Sequence, residues 1–277
     1  MSEGRIPLTI PLKPWFQDHC FGGKSVLPAV ETMHLLAAKA IEIHPEVDIR
    51  VMENVRFAKF LEIPADAATL PGFVECETAG DGRIRIKLLS RMQCKAMSRI
   101  KEHGEIFFPP VIPANPVNTD IHQPANLDPA PPTGSVAEIK AEYLYRRLVP
   151  FGPSYQTLQE TLFLFKGGAW GKLKAPELPR DPIQEIIGSP FPLDGALHAA
   201  CVLGQQAVDF VPFPVGFDRR VVIRPTQPGY CYLTKVTQLA RTDDELIFDL
   251  AIFDNDGQLY ETITGLRMRD VGGAMKK

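Results

Sequence analysis

The pattern of apolar and polar residues in the first half of the chain predicts one long helix and several strands. Residues 29–41 contain no Gly or Pro and are rich in helix-forming residues, so they predict a helix that Pro45 ends near His44. Residues 83–89 alternate strictly after the turn Asp81-Gly82, as a half-buried hairpin strand does. We predict further strands at residues 5–13, 48–61, 72–78 and 92–108, the first at a sheet edge because of its prolines.

The second half repeats this order after a segment rich in proline. Eight prolines lie between residues 109 and 132, which predicts a linker over the surface. After it, the pattern predicts a short helix at 139–147, a hairpin at 161–174, a helix around residue 194, and strands at 221–224, 229–239, 245–253 and 258–269.

An internal repeat supports two copies of one unit. Residues 191–201 can be laid on residues 27–37 with a shift of 164 positions, so that Pro28 meets Pro192 and His34 meets His198. One central helix against an antiparallel sheet, present twice, is an α+β double hotdog. We therefore predict an N-terminal hotdog over residues 1–108, a Pro-rich linker over 109–137 and a C-terminal hotdog over 138–277.

Composition and charge narrow the class of protein. At 45% hydrophobic and 23% charged residues, the 277-residue chain is typical of a globular protein, and its net charge of −3 argues against a nucleic-acid partner. Five cysteines without a CxxC pair favour a reducing compartment over a disulfide framework or a metal site. No stretch approaches the ~20 apolar residues of a membrane span. We expect a cytoplasmic protein without a membrane partner.

Two residues stand out as candidates for acid–base chemistry. His19 precedes Gly23 and Pro28 in the pattern His-x3-Gly-x4-Pro, just before the first predicted helix, where exposed N–H groups would favour an enolate-like transition state. Asp194 lies in the predicted first turn of the second helix. One base and one acid, each from a different half, predict an asymmetric site at the seam between the two units.

Three motifs in this order resemble the signatures of polyketide synthase dehydratase domains. They are His19-x3-Gly23-x4-Pro28, Phe151-Gly152-Pro153 and Asp194-x3-His198, followed by a Pro-Phe segment at Pro212 and Phe213. The resemblance covers roughly residues 5 to 270. One departure is visible, because the family usually has Tyr where this chain has Phe151, so a hydrogen bond from that hydroxyl is lost.

The resemblance implies dehydration of 3-hydroxyacyl thioesters carried on the phosphopantetheine arm of an acyl carrier protein. His19 would remove a proton from the α-carbon, and Asp194 would protonate the departing β-hydroxyl. The N–H of Gly23 would polarise the thioester carbonyl, and His198 would hold the carboxyl of Asp194. It also implies a pocket formed by Pro28, Phe151, Gly152, Pro153 and Phe213, and no metal or organic cofactor.

These roles require neutral imidazole at His19 and a protonated carboxyl at Asp194. The reference pKa of histidine, ~6.5, satisfies the first requirement at neutral pH. Apolar neighbours at Phe191, Leu193 and Leu197 suit the second.

Other interpretations remain open for several residues and for the function. His34 fits a structural histidine, Asp194 fits a helix N-terminal carboxylate, and the Arg146-Arg147 and Arg219-Arg220 pairs fit solvated faces or contacts with a carrier protein. The alternatives to dehydration are a product-template-like aldol cyclase, a double-bond isomerase, a pyran-forming variant and a non-catalytic assembly-line scaffold. We expect other polyketide synthase components as partners, a carrier met in trans, and a possible homodimer through the first strand.

Overall fold

The computed structural model describes residues 4–94, 97–110 and 127–271, and most of its strands belong to one antiparallel sheet. Twelve strands follow the order β1-β5-β6-β7-β4-β11-β14-β13-β12-β10-β9-β8, and β2 and β3 form a separate hairpin. The strands are β1 (Ile6–Pro11), β2 (Cys20–Phe21), β3 (Lys24–Ser25), β4 (Val51–Arg56), β5 (Thr69–Thr78), β6 (Ile84–Cys94), β7 (Met97–Phe108), β8 (Ala137–Lys140), β9 (Leu158–Phe165), β10 (Gly168–Lys174), β11 (Pro212–Val222), β12 (Cys231–Arg241), β13 (Glu245–Phe253) and β14 (Leu259–Asp270).

Two long helices lie against this sheet and contact each other. The helices are α1 (Ala29–Ile43), α2 (Ala141–Tyr143), α3 (Gln184–Ile187) and α4 (Pro190–Gln205), with a π-helical turn at Leu144–Leu148 and short 3-10 helices at Pro14–Asp18 and Pro153–Tyr155. Fifteen of the sixteen residues of α4 are buried, so this helix is enclosed on all sides. No helix among the described residues is long and apolar enough to cross a membrane.

The sheet divides into the two predicted units without interleaving. Strands β1 and β4–β7 accompany α1, and strands β8–β14 accompany α4. The α+β double-hotdog prediction is confirmed, because each half wraps an antiparallel sheet around one central helix. The unit boundaries at 108 and 138 stay a prediction, and residues 111–126 of the proposed linker lie outside the described part of the chain.

A buried ion pair lies beside the seam where β4 pairs with β11. Arg220 is fully buried and faces Met52 in the β4–β11 register. Its Nε lies 2.6 Å from Oε1 of Glu261 on β14, and its Nη2 donates to Oε2 of Glu261 and to the carbonyl of Ile187, each at 3.2 Å. This bidentate pair satisfies the guanidinium where the two units meet.

The structure corrects several predictions drawn from the pattern. Helix α4 begins at Pro190, four residues before Asp194, so Asp194 lies in the second turn and not the first. The prediction of a solvated face was wrong for Arg220, since a charge paired to Glu261 can be enclosed. The predicted helix at 139–147 starts at residue 141, because β8 takes residues 137–140 as an edge strand beside β9.

We expect the Arg220–Glu261 pair to be essential for stability. Replacing Glu261→Gln would leave a buried guanidinium without its counter-charge and lower the free energy of unfolding by about 3–5 kcal/mol. Denaturant unfolding would measure it. Glu160→Gln is the matched control, because its ion pair with Lys172 is exposed and is worth under about 1 kcal/mol. Equal losses in the two variants would contradict a special role for the buried pair.

Candidate active site

A cavity of about 860 Å³ opens where the two units meet, and both units line it. Its walls come from the segment before α1, from α1 and α4 themselves, from the middle of β7, from residues 57–62 and 147–151, and from the ends of β11 and β14. Five of the nine site residues predicted from the sequence line this cavity, namely His19, Phe151, Asp194, His198 and Phe213. The structure thus brings the candidate base of the first unit and the candidate acid of the second unit to one site.

His19 is held by its neighbours in one tautomer. Its backbone N–H donates to the carbonyl of Phe16, and its carbonyl accepts from the N–H of Val26. Its ring Nδ1 lies 3.1 Å from the carbonyl oxygen of Val26. Because a carbonyl can only accept, Nδ1 carries the proton and Nε2 is left with a free electron pair.

The surroundings of His19 favour the neutral ring. Burial lowers the pKa of His19 below its ordinary value, and the charge of Asp194 opposes this shift while that of His198 adds to it. Burial dominates because the imidazolium loses hydration when water is excluded. His19 is therefore suited to accept a proton at neutral pH.

Asp194 and His198 lie together on the buried face of α4. Both are 4% exposed, and Asp194 Oδ2 lies 3.0 Å from His198 Nε2, although the angles at these atoms do not meet those of a hydrogen bond. The spacing of four residues places the two side chains on one face of the helix. The carboxyl and the imidazole are therefore in close contact, without a hydrogen bond between these two atoms.

Tyr145 contacts the ring nitrogen of His198 that faces away from Asp194. Its hydroxyl lies 3.3 Å from Nδ1 of His198 and accepts a hydrogen bond of 2.8 Å from the N–H of Leu158. Burial raises the pKa of Tyr145, so the hydroxyl stays protonated and can donate to His198. The sequence pattern did not single out Tyr145, because its partner lies 53 residues away and no local motif marks it.

Phe151 takes part in the site by stacking. Its ring lies 4.3 Å from the ring of His19, nearly parallel to it, and 5.1 Å from the ring of His198. It therefore contacts both imidazoles and offers an apolar wall to any ligand between them. A hydroxyl is absent from this side chain, so orientation of a substrate falls to the remaining polar groups.

Gly152 ties the second unit to the segment that carries His19. Its N–H donates to the carbonyl of Asp18 at 2.7 Å, and the N–H of Ser154 donates to Oδ2 of Asp18 at 2.9 Å. A Cβ on Gly152 would lie 2.5 Å from Oδ1 of Asp18, so only glycine fits. Gly152 and Pro153 do not line the cavity; they position Phe151 and the chain beside His19.

Gly23 and Pro28 lie away from the positions expected of them. Gly22 and Gly23 both have positive φ and form the turn between β2 and β3, six residues or more before α1 begins at Ala29. The prediction that Gly23 stands at the helix entrance was wrong, because the β3 strand intervenes. Pro28 is the N-cap residue of α1 and its carbonyl accepts from Thr32. Neither residue is among those described as lining the cavity, and contact of the Gly23 N–H with a substrate stays a prediction.

The cavity wall also carries further charged side chains and a third histidine. Lys59, Lys101 and Arg147 line it together with Glu62, Asp270 and His103. His103 donates through Nδ1 to the carbonyl of Lys59 and lies 2.7 Å from the Ser90 hydroxyl through Nε2, and burial lowers its pKa. No local motif marks His103, which lies within a strand. Across the described ranges, no group of three His, Cys, Asp or Glu side chains is placed to hold a metal ion.

Comparison with known proteins identifies the family. The sequence profile of the polyketide synthase dehydratase N-terminal domain matches residues 122–276, which is more than half of the chain. The chain belongs to the polyketide synthase dehydratase family. The family prediction from the three motifs is confirmed, and the family's activity is that of a dehydratase in polyketide assembly. The matched range contains Asp194 and His198, whereas His19 precedes it.

Solved dehydratase domains share the fold at low sequence identity. A trans-AT polyketide synthase dehydratase domain from Brevibacillus brevis is 18% identical with a TM-score of 0.71, covering 96% of this chain and 93% of that one. An N-terminal dehydratase of the difficidin assembly line is 14% identical with a TM-score of 0.73, covering 98% and 94%. A bifunctional dehydratase-cyclase domain of ambruticin biosynthesis is 19% identical with a TM-score of 0.69, covering 95% and 91%. No curated protein sequence matches the chain.

We expect His19 to be a neutral Nδ1–H tautomer at neutral pH, because burial lowers the pKa of its ring and the Val26 carbonyl requires a proton on Nδ1. Nitrogen-15 NMR of histidine-labelled protein would show one protonated and one unprotonated ring nitrogen for His19, assigned by the loss of signals in His19→Phe. As pH is lowered, the ring should become protonated only below ~6.5, the reference pKa of histidine. An imidazolium at neutral pH, or the Nε2–H tautomer, would contradict this assignment.

Proposed function

We propose that this dehydratase removes water from a 3-hydroxyacyl thioester carried on the phosphopantetheine arm of an acyl carrier protein. The observation that carries the proposal is the meeting of His19 from the first unit with Asp194 from the second in one cavity with largely apolar walls. A neutral imidazole and a carboxyl from opposite sides suit the removal of a proton and of a hydroxyl from adjacent carbons.

In the proposed reaction, His19 takes one proton from the substrate and Asp194 gives one proton to it. Nε2 of His19 takes a proton from the α-carbon, and the electron pair of that C–H bond forms the double bond to the β-carbon. The β-carbon to oxygen bond breaks, and protonated Asp194 gives its proton to the departing hydroxyl. The products are a trans-2-enoyl thioester and water. The proton on His19 then returns to the carboxylate of Asp194, which restores the starting state.

The buried setting makes the neutral form of this pair reasonable. His19 and Asp194 share one proton, so they can exist as imidazole with carboxyl or as imidazolium with carboxylate. Burial lowers the pKa of His19, which favours the arrangement with a neutral imidazole. Two residues position the carboxyl of Asp194. His198 contacts it, and Tyr145 fixes the ring of His198. In this proposal they position Asp194 and do not touch the reacting atoms.

Three basic side chains of the cavity wall support a phosphate-bearing carrier arm. Lys59, Lys101 and Arg147 could contact the phosphodiester of phosphopantetheine, which would leave the acyl chain to the apolar walls around Phe21 and Phe213. A carrier contact at Arg147 agrees with the expectation from the sequence, whereas Arg146 is 62% exposed and pairs with Glu142. The proposal requires no metal or organic cofactor, and its partners are a carrier protein and other polyketide synthase components.

We expect the wild-type protein to remove one water from a 3-hydroxyacyl chain on a carrier protein. The activity should fall by about 10²–10⁴-fold in His19→Phe and in Asp194→Asn, because each variant lacks one partner of the acid–base pair. Mass spectrometry of the carrier would measure the loss of water. The matched controls are His44→Phe and Asp209→Asn, which change the same residue types away from the cavity and should keep full activity.

Two outcomes would redirect the proposal. Unchanged 3-hydroxyacyl carrier with all proteins across several chain lengths would favour the scaffold or the aldol cyclase. A dehydrated product that chromatography separates from the linear enoyl standard of equal mass would favour double-bond isomerisation or ring closure after the loss of water.

The rate should follow a bell-shaped dependence on pH. It should fall as pH drops through the pKa of His19, which burial places below the ordinary value, because the protonated ring cannot accept a proton. It should also fall at high pH if Asp194 acts as the acid, because the proposed mechanism requires a proton on that carboxyl. Initial rates of water loss, measured at fixed ionic strength, would test this. A rate that keeps rising from about pH 6 to about pH 9 would contradict the acid role of Asp194.

A further inference from the structure

A second cavity of about 430 Å³ lies against another face of α1, apart from His19 and Asp194. This volume falls within the range of ~300–1,000 Å³ that is usual for small-molecule sites. Aliphatic side chains form most of its wall, with a few polar groups at one end. The lining residues used in the argument are Lys13, Glu31, His34, Leu35, Ala38 and Asp181.

The second cavity is the counterpart of the first under the internal repeat. In the first cavity, α4 contributes Asp194 and His198, and the segment before α1 contributes His19. In the second, α1 contributes Glu31 and His34, and the segment before α4 contributes Asp181. Under the shift of 164 positions, His198 corresponds to His34 and His19 to Ile183, both of which line the second cavity, whereas Asp194 corresponds to Val30, which does not. The second cavity therefore lacks the acid–base pair.

His34 is the unexplained group in this second cavity. It is 3% exposed, and neither of its ring nitrogens has a hydrogen-bond partner within the described part of the chain. Burial holds the pKa of His34 well below its ordinary value, and the positive charges of Arg220 and Lys13 add to this effect. The ring is therefore neutral, with one donor and one acceptor to satisfy. Buried polar atoms are normally paired, so a partner inside the cavity would remove an energetic cost.

The charges beside His34 decide which partner suits it. Nζ of Lys13 lies 3.0 Å from Oε2 of Glu31 and also pairs with Asp181. Burial works against the charge of Lys13, but the two carboxylates outweigh it and raise its pKa. Burial raises the pKa of Glu31, and the cations near the ring already have carboxylate partners, Lys13 with Glu31 and Asp181, and Arg220 with Glu261. A charged ligand would therefore lose its hydration without gaining a free counter-charge. An uncharged hydroxyl can both donate to and accept from the neutral ring.

We propose that this cavity is a second ligand site, which binds an uncharged aliphatic molecule bearing a hydroxyl group. The hydroxyl bonds to the ring of His34, and the alkyl chain lies along Leu35 and Ala38. Ile186, 37% exposed, and the partly exposed Asp181 mark the opening to solvent. This site is separate from the cavity of the proposed dehydration, and its occupancy does not depend on that reaction.

The test uses 1-octanol as the probe, with octanoate at about pH 8 as the charged comparison. Titration of histidine-labelled protein with 1-octanol should shift the ring nitrogens of His34, assigned by His34→Leu, and leave those of His19 and His198 unchanged. Ala38→Leu fills the cavity but keeps His34, so it should weaken 1-octanol binding by about tenfold or more, since each methylene in an apolar pocket is worth about 10–200-fold.

Several results would overturn this proposal. Absence of a His34 shift, or equal affinity of wild type and Ala38→Leu for 1-octanol, would show that the cavity is not the site. Equal binding of octanoate would refute the preference for an uncharged head group. A crystal structure grown with 1-octanol that shows only ordered water beside His34 would refute the ligand site. The midpoint temperature of thermal unfolding provides a second readout that does not rely on NMR. 1-Octanol should raise it in the wild type and not in Ala38→Leu.

Discussion

The pairing of β4 with β11 is the constraint on which the rest of the structure depends. It joins the sheets of the two units into one, so that α1 and α4 lie against each other and residues from both units reach a common cavity. Arg220 and Glu261 secure the second-unit side of this seam with a fully enclosed ion pair. Both residues are needed, because either charge alone would be buried without a counter-charge. The proposed catalytic residues are far apart in sequence, and this seam helps to bring them together.

A second, smaller link controls the site itself. The backbone of Gly152 and Ser154 binds Asp18, which immediately precedes His19. This contact holds the Phe151 segment of the second unit against the base of the first. His19 therefore stacks on Phe151, and the desolvation that lowers the pKa of its ring favours the neutral form. Position and protonation state thus have one cause, the close packing of the two units.

Duplication of the unit has produced two cavities with different chemistry. Around α4, a carboxyl, an imidazole and a tyrosine form a polar chain that ends at the cavity with His19. Around α1, the position that corresponds to Asp194 is Val30, the neighbouring carboxyl of Glu31 is bound to Lys13, and His34 has no hydrogen-bond partner among the described residues. The repeat determines where each cavity lies, whereas a few substitutions decide whether it holds an acid–base pair or an ion-paired rim.

The sequence by itself determined the two-unit architecture, the family and the candidate pair His19 and Asp194, because periodicity, a repeat and short motifs are properties of neighbouring residues. It also predicted the α1 helix and the hairpin around Gly167 closely. It misplaced Gly23 and the start of α4, since these depend on where strands and helices pack and end. Tyr145, His103 and the burial of Arg220 were invisible in the pattern, because their partners are distant in sequence. The tertiary structure alone decided these contacts, for desolvation and hydrogen-bond geometry arise only when remote segments meet.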